Sequence, residues 1–325
     1  MKDIQSVYVT PPMLADMPQA FAPLTERGIS VIHNNGEYPM PAAQLAAWLM
    51  DGQAAIVGLD ELTRDVFAVC PELTIVARNG VGLDNVDLVA ATEYGVAVTV
   101  PQGANSTSVA ELTFGLMISL VRGVVDNHNR VQHGQWERLH GVELAGKTLG
   151  IIGLGHIGKK VARRAGAFGL NTIAHDIAPD HDFAREHRIK LAKLEDLLAN
   201  SHVVTLHVPL DSSTQNMIDA AALQHMRRGA FLINTARGGV VNHMAVATAL
   251  DAGHLAGVAL DVHPDEGNVS SYMLGRANVI TTTHVGAYTY ESLMYTTQAA
   301  VQSIIDVIDG KITRHVLNPE VLQHG

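Results

Sequence analysis

Short apolar runs rich in β-branched residues alternate with stretches of helical spacing along most of this chain. In the first hundred residues, runs of strand type fall at 6–10, 29–33, 54–58, 73–77 and 96–100. Between them, 15–26, 42–50 and 86–94 have apolar positions spaced as on one face of a helix. Such alternation predicts a parallel sheet with helices on both faces. Residues 104–122 predict one long helix, apolar on nearly every side, so it must be buried between domains or in an interface. Residues 125–146 are less regular. A second α/β run starts at Lys147, with strands predicted at 148–152, 171–175, 202–208, 230–234, 257–261 and 279–282. Helices are predicted at 157–168, 193–199, 219–226 and 244–252, and a last one at 291–310. Six strands with crossover helices is the count of a full dinucleotide-binding domain. The residues beyond the sixth strand are too few for a domain and are expected to rejoin the first. The expected division is 1–102 plus 290–325 for a smaller, flavodoxin-like substrate domain, and 103–289 for a Rossmann domain. Both are doubly wound parallel sheets of the α/β class, with ligands expected in the cleft beyond the strand ends.

One junction of strand and helix carries a ligand signal. The apolar run Leu149-Gly150-Ile151-Ile152 enters Gly153-Leu154-Gly155-His156-Ile157-Gly158, and helical spacing follows. Gly153, Gly155 and Gly158 form G-x-G-x-x-G in the strand–turn–helix context of a dinucleotide fingerprint. The three glycines allow the tight turn, the approach of a pyrophosphate and close packing of helix on strand. Free N–H groups at the helix start then face the phosphates. The next strand ends at Asp176, about 20 residues on, where an acid can bond both ribose hydroxyls of NAD and repel the 2′-phosphate of NADP. NAD is the expected cofactor.

Composition narrows the partners. The chain has 325 residues and a formal net charge of −10, which argues against nucleic acid or an anionic membrane as main partner. Any anionic substrate must be caught by a few local basic groups. Cys70 is the only cysteine, so no internal disulfide or cysteine metal site is expected. No apolar run reaches the ~20 residues of a spanning helix, and the N-terminus does not read as a signal peptide. A cytoplasmic location is the expectation.

Three residues at predicted strand ends form a chemical set. Arg237 follows the 230–234 run and precedes Gly238-Gly239; its guanidinium can hold a carboxylate bidentately. Glu266 lies in the loop after 257–261, and His284 follows 279–282 before a Gly-Ala turn. Hydride transfer at a hydroxyl carbon needs these types. The histidine exchanges the hydroxyl proton, the carboxylate orients and charges the imidazole, and the arginine fixes the acid group and polarises the carbonyl.

These residues, together with Ala77-Arg78-Asn79-Gly80-Val81-Gly82-Leu83-Asp84-Asn85-Val86-Asp87, Gly103 to Glu111, the glycine turn, Asn234 to Val241 and Leu260-Asp261-Val262, carry a resemblance over nearly the whole chain. The sequence resembles the D-isomer-specific 2-hydroxyacid dehydrogenases, most of all the phosphoglycerate dehydrogenase branch in a short form without a regulatory domain. The resemblance implies that Arg237, Glu266 and His284 are the catalytic trio. It implies that Asn79, Gly80, Val81 and Gly82 present backbone N–H groups to the substrate carboxylate, with Arg78 beside them. His156, Ile157 and Asp176 would bind the adenosine half of NAD, and Val208 and Pro209 would line the adenine side. Thr235 and Asp261 would hold the nicotinamide end, with Ala236, Gly286 and Ala287 also among the cofactor-binding residues. The long helix after Gly103 would join the domains and sit in a homodimer interface. D stereochemistry is likewise implied by the resemblance alone.

The chain departs from the family pattern at particular points. His263 stands where an aromatic residue usually follows Asp-Val, Gly267 where Pro usually follows Glu, and Thr283 where Pro usually precedes the histidine. Asn242-His243 replaces the common Asp-Glu, and the segment after the third strand, Gly58-Leu59-Asp60-Glu61, lacks the base often placed there to meet phosphate. Arg78 and a partner subunit's Arg138 are the remaining candidates for a phosphate. The expected substrate is 3-phosphoglycerate, with a glyoxylate or hydroxypyruvate reductase as the alternative. A rival of another class is a non-catalytic NAD-sensing protein on the same scaffold. His207 is expected to be packed or beside the cofactor, and His128, His133 and His140 lack metal-ligand spacing, so no metal is expected.

Overall fold

The structure, a computed structural model, describes residues 4–323. It forms two compact units, Met1–Asn105 with Tyr288–Gly325, and Ser106–Ala287. The observed boundaries lie within a few residues of those expected from the chain's alternation.

The first unit holds five parallel strands: β1 (Ser6–Val9), β2 (Ser30–His33), β3 (Ala54–Val57), β4 (Ile75–Arg78) and β5 (Ala97–Thr99). Their order is β2-β1-β3-β4-β5, the flavodoxin-like order. β3, β4 and β5 are buried along their whole length, as strands covered on both faces must be. One core, including Val7, Val9, Ile56 and Ala77, is covered by the C-terminal helix Tyr290–Ile308 through Ala300, Val301 and Ile304. The other, including Val57, Val76 and Val98, is covered by Leu45, Leu49 and Phe67. The helix expected over 15–26 is instead two 3-10 turns, Pro12–Asp16 and Pro18–Ala20, and one α-turn, Ala22–Thr25. Pro12, Pro18 and Pro23 withhold the N–H groups that a continuous helix needs.

The second unit holds seven parallel strands: β6 (Thr148–Ile152), β7 (Asn171–His175), β8 (Lys190–Leu191), β9 (Val203–Leu206), β10 (Ala230–Asn234), β11 (Leu255–Leu260) and β12 (Val279–Thr281). The order β12-β11-β10-β9-β6-β7-β8 reverses between β6 and β9, the switch point of a doubly wound sheet. The apolar runs predict six strands; the extra one, β8, is only two residues long and pairs at the edge with β7. The long helix Ser106–Val121 buries Ala110, Phe114, Met117 and Leu120 in one of this unit's own cores. Its burial therefore needs no interface, contrary to the expectation from its apolar faces. Gly257 on β11 makes room for it, since a Cβ there would lie 3.0 Å from Leu120 Cδ1. The stretch read as irregular contains a helix, Val124–Gln132, whose small apolar content hid its spacing. No single helix among the described residues is long and apolar enough to cross a membrane.

Candidate active site

The glycine turn sits where β6 meets helix His156–Ala167. Two of its glycines are required by close backbone. A Cβ on Gly153 would lie 2.5 Å from the His207 carbonyl oxygen, and one on Gly158 would lie 2.0 Å from the Gly153 carbonyl oxygen. Gly155 differs: nothing lies within 4 Å of the position its Cβ would take. Gly155 is also the N-cap of the helix, and no side chain caps that end. The first N–H groups, those of His156, Ile157 and Gly158, thus have no intrahelical acceptor. An open, uncapped helix start with a positive dipole end fits a pyrophosphate.

Asp176 lies just past β7. Its Oδ2 accepts from the Leu154 amide at 2.6 Å and its Oδ1 from the Ala178 amide at 2.8 Å. An ionised carboxylate has about four acceptor positions, so both oxygens keep one for a ribose hydroxyl. Val208 is half-buried and Pro209 exposed just past β9, across the switch point. These residues fit a dinucleotide, and the acid fits NAD better than NADP.

Arg237, Glu266 and His284 lie beyond the carboxyl ends of three adjacent strands, β10, β11 and β12. Asn234, fully buried at the end of β10, shapes the first loop: its Oδ1 accepts from the Ala236 amide at 3.0 Å and its Nδ2 donates to the Arg237 carbonyl at 2.9 Å. Arg237 Nη1 donates to the Ala236 carbonyl at 2.8 Å. The Thr235 hydroxyl meets the Thr113 hydroxyl at 3.0 Å, tying this loop to the long helix. Gly238 then presses on the next loop, where a Cβ would lie 2.0 Å from the His263 carbonyl carbon.

Glu266 and His284 meet directly, with Oε1 2.5 Å from Nδ1. The two atoms lie within salt-bridge distance, without the alignment of a linear hydrogen bond. Such bonds are often poorly aligned before substrate arrives. Nδ1 is buried against the carboxylate, so Nε2 is the nitrogen left accessible to a reactant. The His284 backbone is left-handed, with φ of 55°. A side chain there costs of order 1–3 kcal/mol and must be held by its surroundings. Asp261, only 1% exposed, supplies much of that hold. Its carbonyl accepts from the His284 amide at 2.8 Å. Its carboxylate accepts from the Thr282 hydroxyl at 2.6 Å and from the Val285 and Gly286 amides at 2.9 Å each. Gly286 is buried and Ala287 half-buried behind this turn. Three bonds leave the carboxylate one acceptor position for a further donor. This buttressing role of Asp261 was not visible in the sequence.

In the first unit, Arg78 ends β4 and is 4% exposed. Its Nε donates to the Gly82 carbonyl at 3.1 Å, bending the 78–82 loop around it. The Asn79 amide donates to the Thr296 and Thr297 hydroxyls on the C-terminal helix, at 3.1 and 2.8 Å. Among the described residues, no acceptor meets the backbone amides of Gly80, Val81 or Gly82. Three consecutive unpartnered amides are a fit for a carboxylate.

His207 is packed, as expected. Its Nε2 pairs with the Thr205 hydroxyl at 3.1 Å and its Nδ1 is buried without a partner. Burial pushes its pKa down to about 3. Burial, and then His263, lower that of His243 to about 4. In the unfolded chain both titrate near 6.5. The unfolded state therefore binds protons that the fold refuses, so this stability is present above about pH 6.5 and is lost as pH falls toward the folded values. Thermal unfolding should shift to lower temperature between about pH 6.5 and 4.5, by at most about 1.4 kcal/mol per pH unit for each histidine. His207→Gln should flatten that part of the profile; an unchanged profile would acquit His207.

Comparison with known proteins bears on this arrangement. The family profile for the NAD binding domain of the D-isomer specific 2-hydroxyacid dehydrogenases matches residues 114–286. The chain is 35% identical over 304 residues to a D-3-phosphoglycerate dehydrogenase of Methanocaldococcus jannaschii, covering 91% of this chain and 58% of that protein. It thus spans little more than half the length of that relative. It is 33% identical over 315 residues to a glyoxylate reductase of Korarchaeum cryptofilum, covering 92% of this chain and 95% of that one. Among solved structures, a D-lactate dehydrogenase of Aquifex aeolicus, complexed with NAD and lactic acid, superposes with a TM-score of 0.84 at 28% identity, covering 96% of this chain and 99% of that one. A Rossmann sheet with an uncapped glycine turn, a carboxylate-backed histidine and an arginine on neighbouring strand ends, and relatives matched along both units leave one assignment: the chain belongs to the D-isomer-specific 2-hydroxyacid dehydrogenase family and carries its NAD-binding domain.

Proposed function

We propose that this protein is an NAD-dependent dehydrogenase that interconverts a small D-2-hydroxy acid and its 2-keto acid. The contact between Glu266 and the buried nitrogen of His284, which leaves Nε2 accessible, carries this reading. NADH, when bound, supplies the hydride that reduces the keto carbon. His284 gives its Nε2 proton to the keto oxygen as that oxygen becomes a hydroxyl, and takes it back in the reverse direction. Glu266 stabilises the charged imidazole and fixes the tautomer. Arg237 holds the carboxylate and polarises the carbonyl. In the first unit, the amides of Gly80, Val81 and Gly82 fit a carboxylate. His156, Ile157, Asp176, Val208 and Pro209 hold the adenosine half of the cofactor, and Thr235, Ala236, Asp261, Gly286 and Ala287 the nicotinamide half. An intact acid–base pair supports catalysis over a purely sensory role.

The first substrate reading is 3-phosphoglycerate, supported by the likeness to phosphoglycerate dehydrogenases. One observation favours an unphosphorylated acid such as glyoxylate or hydroxypyruvate. Arg78, the base nearest the carboxylate loop, is buried and engaged by the Gly82 carbonyl, while Leu59 is exposed where a phosphate-binding base would serve. NADH oxidation against phosphohydroxypyruvate, hydroxypyruvate, glyoxylate and pyruvate separates the readings. Turnover is expected with at least one of them, and with NADPH at a small fraction of the NADH rate. Tight NADH binding without turnover of any of the four would favour the sensor. Equal rates with NADPH would sink the role given to Asp176.

A homodimer through the second unit belongs to the same proposal. Val124, Val125, Val131 and Trp136 are exposed along one segment of it, and Trp136 is 84% exposed. Apolar surface of that kind suits a second copy.

A further inference from the structure

His263 is a buried imidazole that the chemistry above does not use, and it lies where three active-site loops meet. It is 6% exposed and stands two residues past Asp261 on the loop that carries Glu266. Its backbone carbonyl packs against Gly238, next to Arg237. Its Nε2 lies 3.1 Å from the Thr282 carbonyl oxygen, on the segment that leads into His284. A carbonyl only accepts, so Nε2 must carry the proton and donate. That places a proton on Nε2, while Nδ1 is buried without a partner.

The bond falls at a point of need. His284 is in a left-handed conformation and its turn must be held from outside. Asp261 holds the amide side of that turn, through the amides of His284, Val285 and Gly286. Nothing on Asp261 holds the Thr282 carbonyl. The Thr283 amide, between the two, makes no backbone hydrogen bond among the described residues. His263 is the side chain that secures this peptide. The ring of His243, at the head of helix His243–Asp251, backs it edge-on with centroids 6.1 Å apart and planes at 84°. Burial keeps His243 neutral at ordinary pH, so no cation competes for the site.

We propose that His263 is a positioning residue for His284, acting through its Nε2–H bond to the Thr282 carbonyl. The inference rests on the acid–base role of His284. His263→Phe keeps a buried aromatic ring, somewhat larger than the imidazole, and removes the donor to the Thr282 carbonyl. In the full-length, cofactor-free protein, hydrogen exchange at the amides of His284, Val285 and Gly286 should quicken about tenfold. The kcat for the best keto acid should fall about tenfold, with its KM and the NADH affinity within about twofold of the parent. His263→Gln, whose amide nitrogen can reach the same carbonyl, should restore most of both. A merely structural ring would be served as well by Phe and would not be rescued by Gln. Unchanged exchange in His263→Phe would overturn the proposal, as would a kcat equal to the parent's or a Gln variant as impaired as Phe. Full activity in His284→Ala would instead strike the role assigned to His284, while the exchange result would still read the bond itself.

Discussion

Replacing His284 by Ala should lower kcat by about 10²–10⁴-fold, the range of a lost general acid–base group, and leave NADH binding nearly intact. The expectation follows from where the ring is held. Nδ1 is occupied by Glu266, and the backbone is fixed by Asp261 through bonds on both sides of the left-handed residue. The variant loses the proton donor, while the turn keeps its amide anchors and, with Ala, still carries the strain of a side chain at positive φ. The glycine turn lies at a different strand end and its geometry does not depend on the ring. Stopped-flow NADH oxidation and fluorescence titration of NADH read the two effects separately. Parental turnover would remove His284 from the mechanism. A loss of NADH binding equal to the loss of rate would mean that the residue acts on the cofactor and not on the substrate.

Gly238→Ala should be the most damaging single-methyl change in the catalytic loops. The added Cβ would lie 2.0 Å from the His263 carbonyl carbon and 2.3 Å from both its oxygen and the Pro264 nitrogen. All three are backbone atoms, so the loops must separate instead of a side chain swinging aside. Overpacking of this kind costs about 1–3 kcal/mol or more, roughly 2–4 °C of melting temperature per kcal/mol at this domain size. Because Arg237 precedes Gly238 and Glu266 follows His263, separation also pulls two members of the trio apart. A misplacement of about 1 Å can cost about 10² in rate. Gly239→Ala is the control: its Cβ would meet only the Leu210 side chain, at 3.0 Å, and a leucine methyl can give way. Gly238→Ala should therefore lose about 10²-fold in kcat/KM, and Gly239→Ala little. Equal effects of the two would show that the loops are not wedged together at Gly238.

Much of the fold was legible because its signals are local. β6, β7 and β10 have the bounds that the sequence predicts, since each is a short run of strand type bounded by loop signals. Proline content broke the helix expected over 15–26, a signal present in the sequence and outweighed in the reading by apolar spacing. β8 was missed because two residues at a sheet edge have no periodicity to detect. The long helix Ser106–Val121 reads as apolar all round, and only the packed structure shows that one unit supplies its cover.

The candidate site divides in the same way. Glycine spacing, an acid about 20 residues on, and an arginine, a glutamate and a histidine at strand ends are chemical facts of the chain, and they determined the cofactor class and the residues proposed to do the chemistry. They do so because phosphate contact, tight turns and proton transfer each demand particular residue types at particular points along a strand–turn–helix unit. Tertiary structure alone decided how those groups are aimed. Asp261 was read as a cofactor residue, yet most of its capacity goes to the His284 turn. Arg78 was read as a possible phosphate ligand, yet it is buried and bends its own loop. The bond from His263 to Thr282 joins the segments that follow two different strands, β11 and β12, and the Gly238 contact spans two loops. Such contacts depend on strand order and register, which bring distant residues within a few ångströms of one another and leave no periodic trace in the chain.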